Sequence, residues 1–332
     1  MQRIANLRND DKLVLFNNTA EQKSMHPSII EKDFWVCFTL DYLFHRFKWK
    51  DALVFKGGTS LSKAFHVIDR FSEDIDLILD WRLINDTEND PWDERSRTQQ
   101  DKFNKHINFE TSKFLIGEFI PTMLHDLDNE LSDNILVKID PNDSQTINFS
   151  YPQLFPDPYI RPEIRLEIGP LAEWLPHHEQ QIMPYIAEKY YNIFEKPFTL
   201  VQTIDAERTF WEKATILHKV ANRNTNLPFP RRYSRHYYDL YCLDKSDIKA
   251  TAFEHKELLK KDVAFKKKFY YSGTAGYDTA KIGTLQLMPQ ASDMFALETD
   301  YNQMEDMIFG ETPEFQDIVQ VIKQLQYEIN CQ

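Results

Sequence analysis

The sequence predicts an α+β protein: a mixed sheet with flanking helices over residues 1–200, followed by a mainly helical domain over residues 201–332. Three observations predict it. Between Ala52 and Pro170, short apolar or alternating runs end on Gly, Pro, Asn or Asp, which is the mark of strands, and helical spacings lie among them. From Asp205 onward the strand signals stop and helical spacing dominates. The chain is 42% hydrophobic and 14% aromatic, with 24 Phe and 15 Tyr, which supplies a sizeable core and excludes disorder. Its 332 residues fit about two domains.

Taken in order, HPSIIEKDFWVCFTLDYLFHRF (26–47) has apolar residues at helical spacing and reads as an amphipathic helix, with Pro27 in its first turn. ALVFKGG is a short strand ended by glycine, SLSKAFHVI a helix, and DIDLILDW a second strand. The polar run 85–102 is a loop leading into a helix, FNKHINFETSKFLIGEFIPTML. NILVKID, TINFSYP and YIRPEIRLEIGP read as strands separated by Asn, Asp and Pro. The second half offers helices at DAERTFWEKATILHKVAN, SRHYYDLYCL and FQDIVQVIKQLQYEI. Repeats and low-complexity tracts are absent.

No apolar run reaches the roughly 18 residues of a membrane span. The opening MQRIANLRNDDKLVLF has neither the apolar core nor the cleavage site of a signal peptide. Cys37, Cys242 and Cys331 are an odd, scattered set, so a cytoplasmic protein with reduced thiols is expected. The net charge of −13 excludes a general nucleic-acid coat protein, because its field repels phosphate. Nucleic-acid contact must be local, and basic residues interleave with aromatics at 229–236 (FPRRYSRH) and 260–271 (KKDVAFKKKFYY). A solvated face is the usual account of such charge runs.

Chemistry concentrates in VFKGGTSLSKAFHVIDRFSEDIDLIL (54–79). The chain has only 8 glycines, yet Gly57 and Gly58 are adjacent, between a strand and a helix. That arrangement offers backbone N–H groups to a phosphate, with Ser60 able to cap the helix and Lys56 and Lys63 adding positive charge. Asp74 and Asp76 share one strand face while Ile75, Leu77 and Leu79 share the other. Paired carboxylates are costly to desolvate unless exposed or bridged by cations, and Mg²⁺ takes one or two carboxylates together with substrate phosphates. In PEIRLEIGP, Glu163, Arg165 and Glu167 share a face. Glu167 near the strand end is a candidate third carboxylate, and the same pattern is that of a solvated Glu–Arg–Glu ladder. Downstream, Lys213 sits at the margin of its helix's apolar stripe, where it can snorkel towards a phosphate. Asp239 lies among Tyr237, Tyr238, Leu240 and Tyr241 and needs a partner, for which Arg235 has helical i,i+4 spacing. Serine-hydrolase, zinc-protease and P-loop signatures are absent. His177 and His178 read as surface residues of a turn.

Together, KGGTSLSKAF and RFSEDIDL resemble the glycine–serine and Asp-h-Asp motifs of the DNA polymerase β-like nucleotidyltransferases. More narrowly they resemble the AbiEii/AbiGii abortive-infection toxin family, matched by Gly57-Gly58-Thr59, by Arg70, Ser72, Asp74 and Asp76, by the upstream Glu31-Lys32-Asp33, by Glu212-Lys213, and by Arg235 with Tyr238-Asp239-Leu240. The resemblance implies a nucleotidyltransferase-like fold over 1–200 and a Mg²⁺-dependent enzyme with two metal ions held by Asp74, Asp76 and Glu167. It implies Asp74, Asp76, Lys213 and Asp239 as catalytic residues, and Lys56, Gly57, Gly58, Thr59, Ser60, Arg70 and Ser72 at the nucleotide. NTP is the implied substrate, the tRNA 3′ end the first-choice acceptor, and a DNA-binding antitoxin the implied partner. A small-molecule or protein hydroxyl is an alternative acceptor, and an inactive binding scaffold an alternative role.

Overall fold

The computed structural model describes residues 1–84, 89–158, 160–171 and 175–331. The start of the predicted loop at 85–88, and Tyr159 at the head of the predicted strand YIRPEIRLEIGP, lie outside the described residues. The chain divides into two compact units, Met1–Ala64 with Ser72–Thr203, and Phe65–Phe71 with Ile204–Gln332. The short segment joins the second unit through backbone bonds: Phe71 N–H donates to Met307 O and Phe309 N–H to Asp69 O, both at 2.7 Å. That pairing has no counterpart in local sequence.

In the first unit, helices α1 (Gln2–Ala5), α2 (Asn9–Lys23) and α3 (Pro27–His45) precede β1 (Leu53–Lys56), α4 (Gly57–Lys63) and β2 (Ile75–Leu79). Helices α5 (Arg97–Phe114) and α6 (Ile120–Glu130) follow, then β3 (Leu136–Asp140), β4 (Asp143–Ser150), β5 (Glu163–Gly169), β6 (His177–Ile182), α7 (Tyr185–Lys189) and β7 (Thr199–Ile204). Among the described residues the strands form one mixed seven-stranded sheet in the order β3-β4-β5-β2-β1-β7-β6. Strand β2 runs antiparallel to β1 and parallel to β5, and β1 runs parallel to β7. The predicted single helix over 103–124 has a π-helical turn at Leu115–Phe119 between α5 and α6. Pro121 has no N–H to continue the ladder there, which favours such a local change of bonding. His177 and His178 lie on β6 instead of in a turn. The polar run HHEQQI carries no alternation that would reveal a strand.

Helix α3 is not amphipathic. Every residue from Ile30 to Leu40 is buried, including Glu31, Lys32 and Asp33. A helix surrounded on all sides must satisfy each polar side chain internally. Its aromatic residues pack into the core, with Trp35 stacked on Tyr151 at 5.6 Å between centroids. Ile75 and Leu77 of β2, with Ile164 and Leu166 of β5, belong to the same core.

The second unit is helical: α8 (Ala206–Ala221), α9 (Ser234–Asp244), α10 (Ile248–Glu254), α11 (Glu257–Phe269), α12 (Met294–Asn302) and α13 (Phe315–Asn330). Helix α13 buries Phe315, Ile318, Ile322, Leu325 and Ile329, the i, i+3/i+4 stripe that predicted it. Arg208 and Asp262 form a buried pair at 3.2 Å, and Asp262 also accepts from Lys266 at 3.0 Å.

Glu31 links the fold to pH. Its Oε1 accepts from Leu154 N–H at 2.8 Å and its Oε2 from Phe155 N–H at 3.3 Å. Burial outweighs these bonds and pushes its pKa up to about 7. An acid whose pKa is raised by folding binds its proton more tightly when folded, so stability falls as pH rises from the unfolded value near 4.5 through 7. Urea unfolding between pH 4.5 and 8 should show this fall, on the order of 2–3 kcal/mol, and Glu31→Gln should remove that component.

Candidate active site

In the first unit the candidate residues gather where β1 turns into α4 beside β2 and β5. Lys56 is the register partner of Asp76, and Asp76 is in turn the partner of Glu167 on the parallel strand β5. Gly57 adopts φ +86°, and a Cβ built on it would lie 1.9 Å from Asp76 Oδ2. Only glycine allows both the left-handed backbone and this approach of a carboxylate. The turn and the aspartate are therefore one packed unit.

Helix α4 starts at Gly57, three residues earlier than expected, and has no side-chain cap. The expectation that Ser60 caps it is corrected: Ser60 lies in the first turn, and its Oγ donates to Gly57 O at 2.8 Å. Burial explains the choice, since Ser60 and Thr59 are fully covered and their hydroxyls need internal acceptors. Thr59 Oγ1 donates to Asp74 O and lies 2.9 Å from Ser72 Oγ, tying the glycine turn to the strand that carries the acids. Lys63 is also buried, with Nζ 2.5 Å from Asp33 Oδ1 and 4.0 Å from the centre of the Tyr185 ring. Burial disfavours its ammonium, but the Asp33 carboxylate outweighs that and pushes its pKa up. Lys63 thus serves an internal pair and not the open surface.

Sequence reasoning missed the roles of Glu31, Lys32, Asp33 and Arg165. Lys32 pairs with Glu73, the neighbour of Asp74, and donates to Arg161 O at 3.1 Å. Asp33 holds Lys63 of α4 and accepts from Tyr185 N–H at 2.7 Å. The signal was present as three adjacent charges inside an apolar helix. Arg165 lies among carboxylates: Nη1 is 3.2 Å from Asp140 Oδ2, Nη2 is 3.6 Å from Glu167 Oε1, and Nε is 3.8 Å from Asp74 Oδ1. The ladder reading of β5 holds for Arg165 and Glu167, whereas Glu163 pairs with Arg161 at 3.6 Å.

Asp76 on β2, Glu167 on β5 and Asp74 just before β2 are hard oxygen donors. Asp74 and Glu167 are partly open to solvent, at 22% and 44% of their side-chain surface. In donor chemistry the set fits a divalent cation such as Mg²⁺. Among the described residues no three acidic, cysteine or histidine side chains are gathered closely enough to hold a metal ion by themselves. Arg165 supplies the positive charge between Asp74 and Glu167.

The second unit holds the other candidates. Asp239 on α9 is fully buried and accepts from Arg70 Nε at 2.6 Å, Arg70 Nη2 at 2.9 Å and Lys213 Nζ at 2.7 Å. Its partners are therefore Arg70 and Lys213, not Arg235 as the helical spacing suggested. Arg70 lies 169 residues away in sequence, so only folding brings it there. Burial alone would raise the Asp239 pKa, but the two cations override it and hold the carboxyl well below the usual range. His236 Nδ1 lies 3.3 Å from Lys213 Nζ. Burial, then Lys213 and Arg235, push its pKa down, so the ring is neutral near pH 7 and able to accept from the ammonium. Of the basic-aromatic stretches, 260–271 falls mostly in α11, where Lys266 and Lys267 pair with Asp262 and Asp278.

Residues 41–321 match the model of the family described as nucleotidyl transferase AbiEii toxin, type IV toxin–antitoxin system. The chain belongs to this family. The resemblance seen in the motifs thus extends over most of the sequence, and the protein is an AbiEii nucleotidyltransferase. No curated protein matches the chain. Among solved structures it is similar to MenT4, a nucleotidyltransferase toxin from Mycobacterium tuberculosis H37Rv, at 16% identity and TM-score 0.48, covering 98% of each chain. It is also similar to JHP933 from Helicobacter pylori, at 11% identity and TM-score 0.41, covering 91% of this chain and 92% of that one. Likeness at these scores carries no argument about the site.

Two outcomes test the packing of this AbiEii protein. Gly57→Ala should cost on the order of 2–4 kcal/mol in urea unfolding, from positive φ together with overlap on Asp76. Asp239→Asn should cost on the order of 3–5 kcal/mol, because it leaves two cations facing a neutral amide in a buried site.

Proposed function

We propose that this AbiEii protein transfers a nucleoside monophosphate from an NTP to an acceptor hydroxyl, releasing pyrophosphate, with the tRNA 3′ end as acceptor. The observation that carries the reading is the packing of Asp76 against Gly57, between Lys56 and Glu167. It places acid oxygens against a glycine turn of the kind that seats phosphates. Asp74 and Asp76, with Glu167, would hold Mg²⁺. When bound, Mg²⁺ supplies activation of the acceptor hydroxyl and neutralisation of the triphosphate.

The chain's own residues take the remaining roles. Lys56 and the backbone of Gly57 and Gly58 orient the phosphates, while Thr59, Ser60 and Ser72 hold the turn against the Asp74 strand. Lys213 neutralises phosphate charge, Asp239 aims it, and Arg70 anchors Asp239. In this reading Arg70 acts on the nucleotide through Asp239. Membership of a type IV toxin family favours a cognate antitoxin as partner, for which a DNA-binding protein is our choice. Among the described residues no helix is long and apolar enough to cross a membrane. The net charge of −13 favours one second reading, transfer to a small-molecule or protein hydroxyl.

Labelled NTPs incubated with Mg²⁺, total tRNA and the protein should transfer label to tRNA, and Asp76→Ala should reduce that by about a hundredfold or more. Label in protein or in a small metabolite, with none in RNA, selects the second reading. Equal transfer by Asp76→Ala and wild type would refute the assignment of the acids.

A further inference from the structure

The second unit contains a cavity of about 200 Å³ beside the N-terminus of α9. Arg232 and Arg235 line it with Gln303, Met304, Met307 and Phe71. Among the described residues neither guanidinium makes an ion pair or side-chain hydrogen bond, whereas most arginines of the chain do. Arg70 adds a third guanidinium to the wall, fixed by Asp239. Among the described residues one acid lines the cavity. Asp300 accepts from Arg232 N–H at 2.6 Å and from Ser234 N–H at 2.9 Å, so both its oxygens serve the backbone and hold the loop before α9 in place. Among the described residues the lining is net positive, in a chain whose overall charge is −13.

We propose that this cavity binds one nucleotide unit, with its phosphate between Arg232 and Arg235 and its base against Met304, Met307 and Phe71. Two unpaired guanidiniums present the forked donors that suit phosphate oxygens. An aromatic ring and two thioethers make an adaptable apolar wall for a flat ring, and the Gln303 amide offers a donor and an acceptor to a base edge. A cavity of about 150 Å³ accommodates a benzene ring, so the present volume admits a base. A bare carboxylate or inorganic anion would leave the apolar wall unused. The unit could arrive in an RNA strand or as a free mononucleotide, which share this chemistry. The proposal rests on Arg232, Arg235 and the apolar wall, and shares with the transferase reading only Arg70, the anchor of Asp239.

The test is equilibrium binding in EDTA, where no transfer occurs, using fluorescein-labelled tetra-adenylate RNA with AMP and inorganic phosphate as competitors. Wild type should bind saturably, and Arg232→Ala/Arg235→Ala should weaken binding at least tenfold with an unchanged melting temperature. Gln303→Ala, at an exposed position, should weaken it two- to fivefold. If the double variant does not fold, Arg232→Ala alone should weaken binding by a similar factor. Displacement by AMP identifies a mononucleotide site, and retention of the RNA against AMP identifies a strand site. The proposal is overturned by absence of saturable binding, by equal affinity in wild type and folded variants, or by inorganic phosphate alone displacing the probe.

Discussion

Three consecutive charges on one buried turn, Glu31, Lys32 and Asp33, organise the half of the protein that carries the acids. Successive helical residues point about 100° apart, so three in a row face three directions. Because α3 is enclosed by the core, each charge must find a partner, and each partner belongs to a different segment. Glu31 takes the backbone at 154–155, Lys32 takes Glu73 and Arg161, and Asp33 takes Lys63 and Tyr185. Leaving such a charge unpaired costs several kcal/mol. The glycine helix, the strand bearing Asp74 and the loop entering β5 are thereby tied to one rigid element.

The second unit solves a similar problem around a single acid. Asp239 is buried completely and held ionised by Arg70 and Lys213, so the cluster carries a net positive charge. Neutral His236 beside Lys213 adds an acceptor without adding charge. A buried lysine fixed this way keeps a defined ammonium position, which a flexible surface lysine does not. The geometry gives a physical reason for the pairing: two cations offset the burial of one carboxylate.

Much of this was legible from residue patterns. The alternation DIDLIL announced β2, the stripe in FQDIVQVIKQLQYEI announced α13, and the adjacent glycines marked the turn at β1. Where local signals were silent, the reading erred for identifiable reasons. HHEQQI forms β6 without apolar alternation, since an edge position does not require it. Helix α3 looked amphipathic because its apolar residues recur at helical spacing, whereas folding buries its charges too by pairing each one. Arg235 looked like the partner of Asp239 because helical spacing is visible in sequence, whereas the approach of Arg70 is not.

The sequence by itself determined β2, α13, the glycine turn after β1 and the family to which the chain belongs. These depend on short-range periodicity and on motifs a few residues long. Only the tertiary structure decided which charges meet. It placed Asp76 against Gly57 and beside Glu167, gave Asp239 to Arg70, turned Lys63 inward to Asp33, and left Arg232 and Arg235 at a cavity. Such choices follow from burial, which makes an unpaired charge costly whatever its distance along the chain.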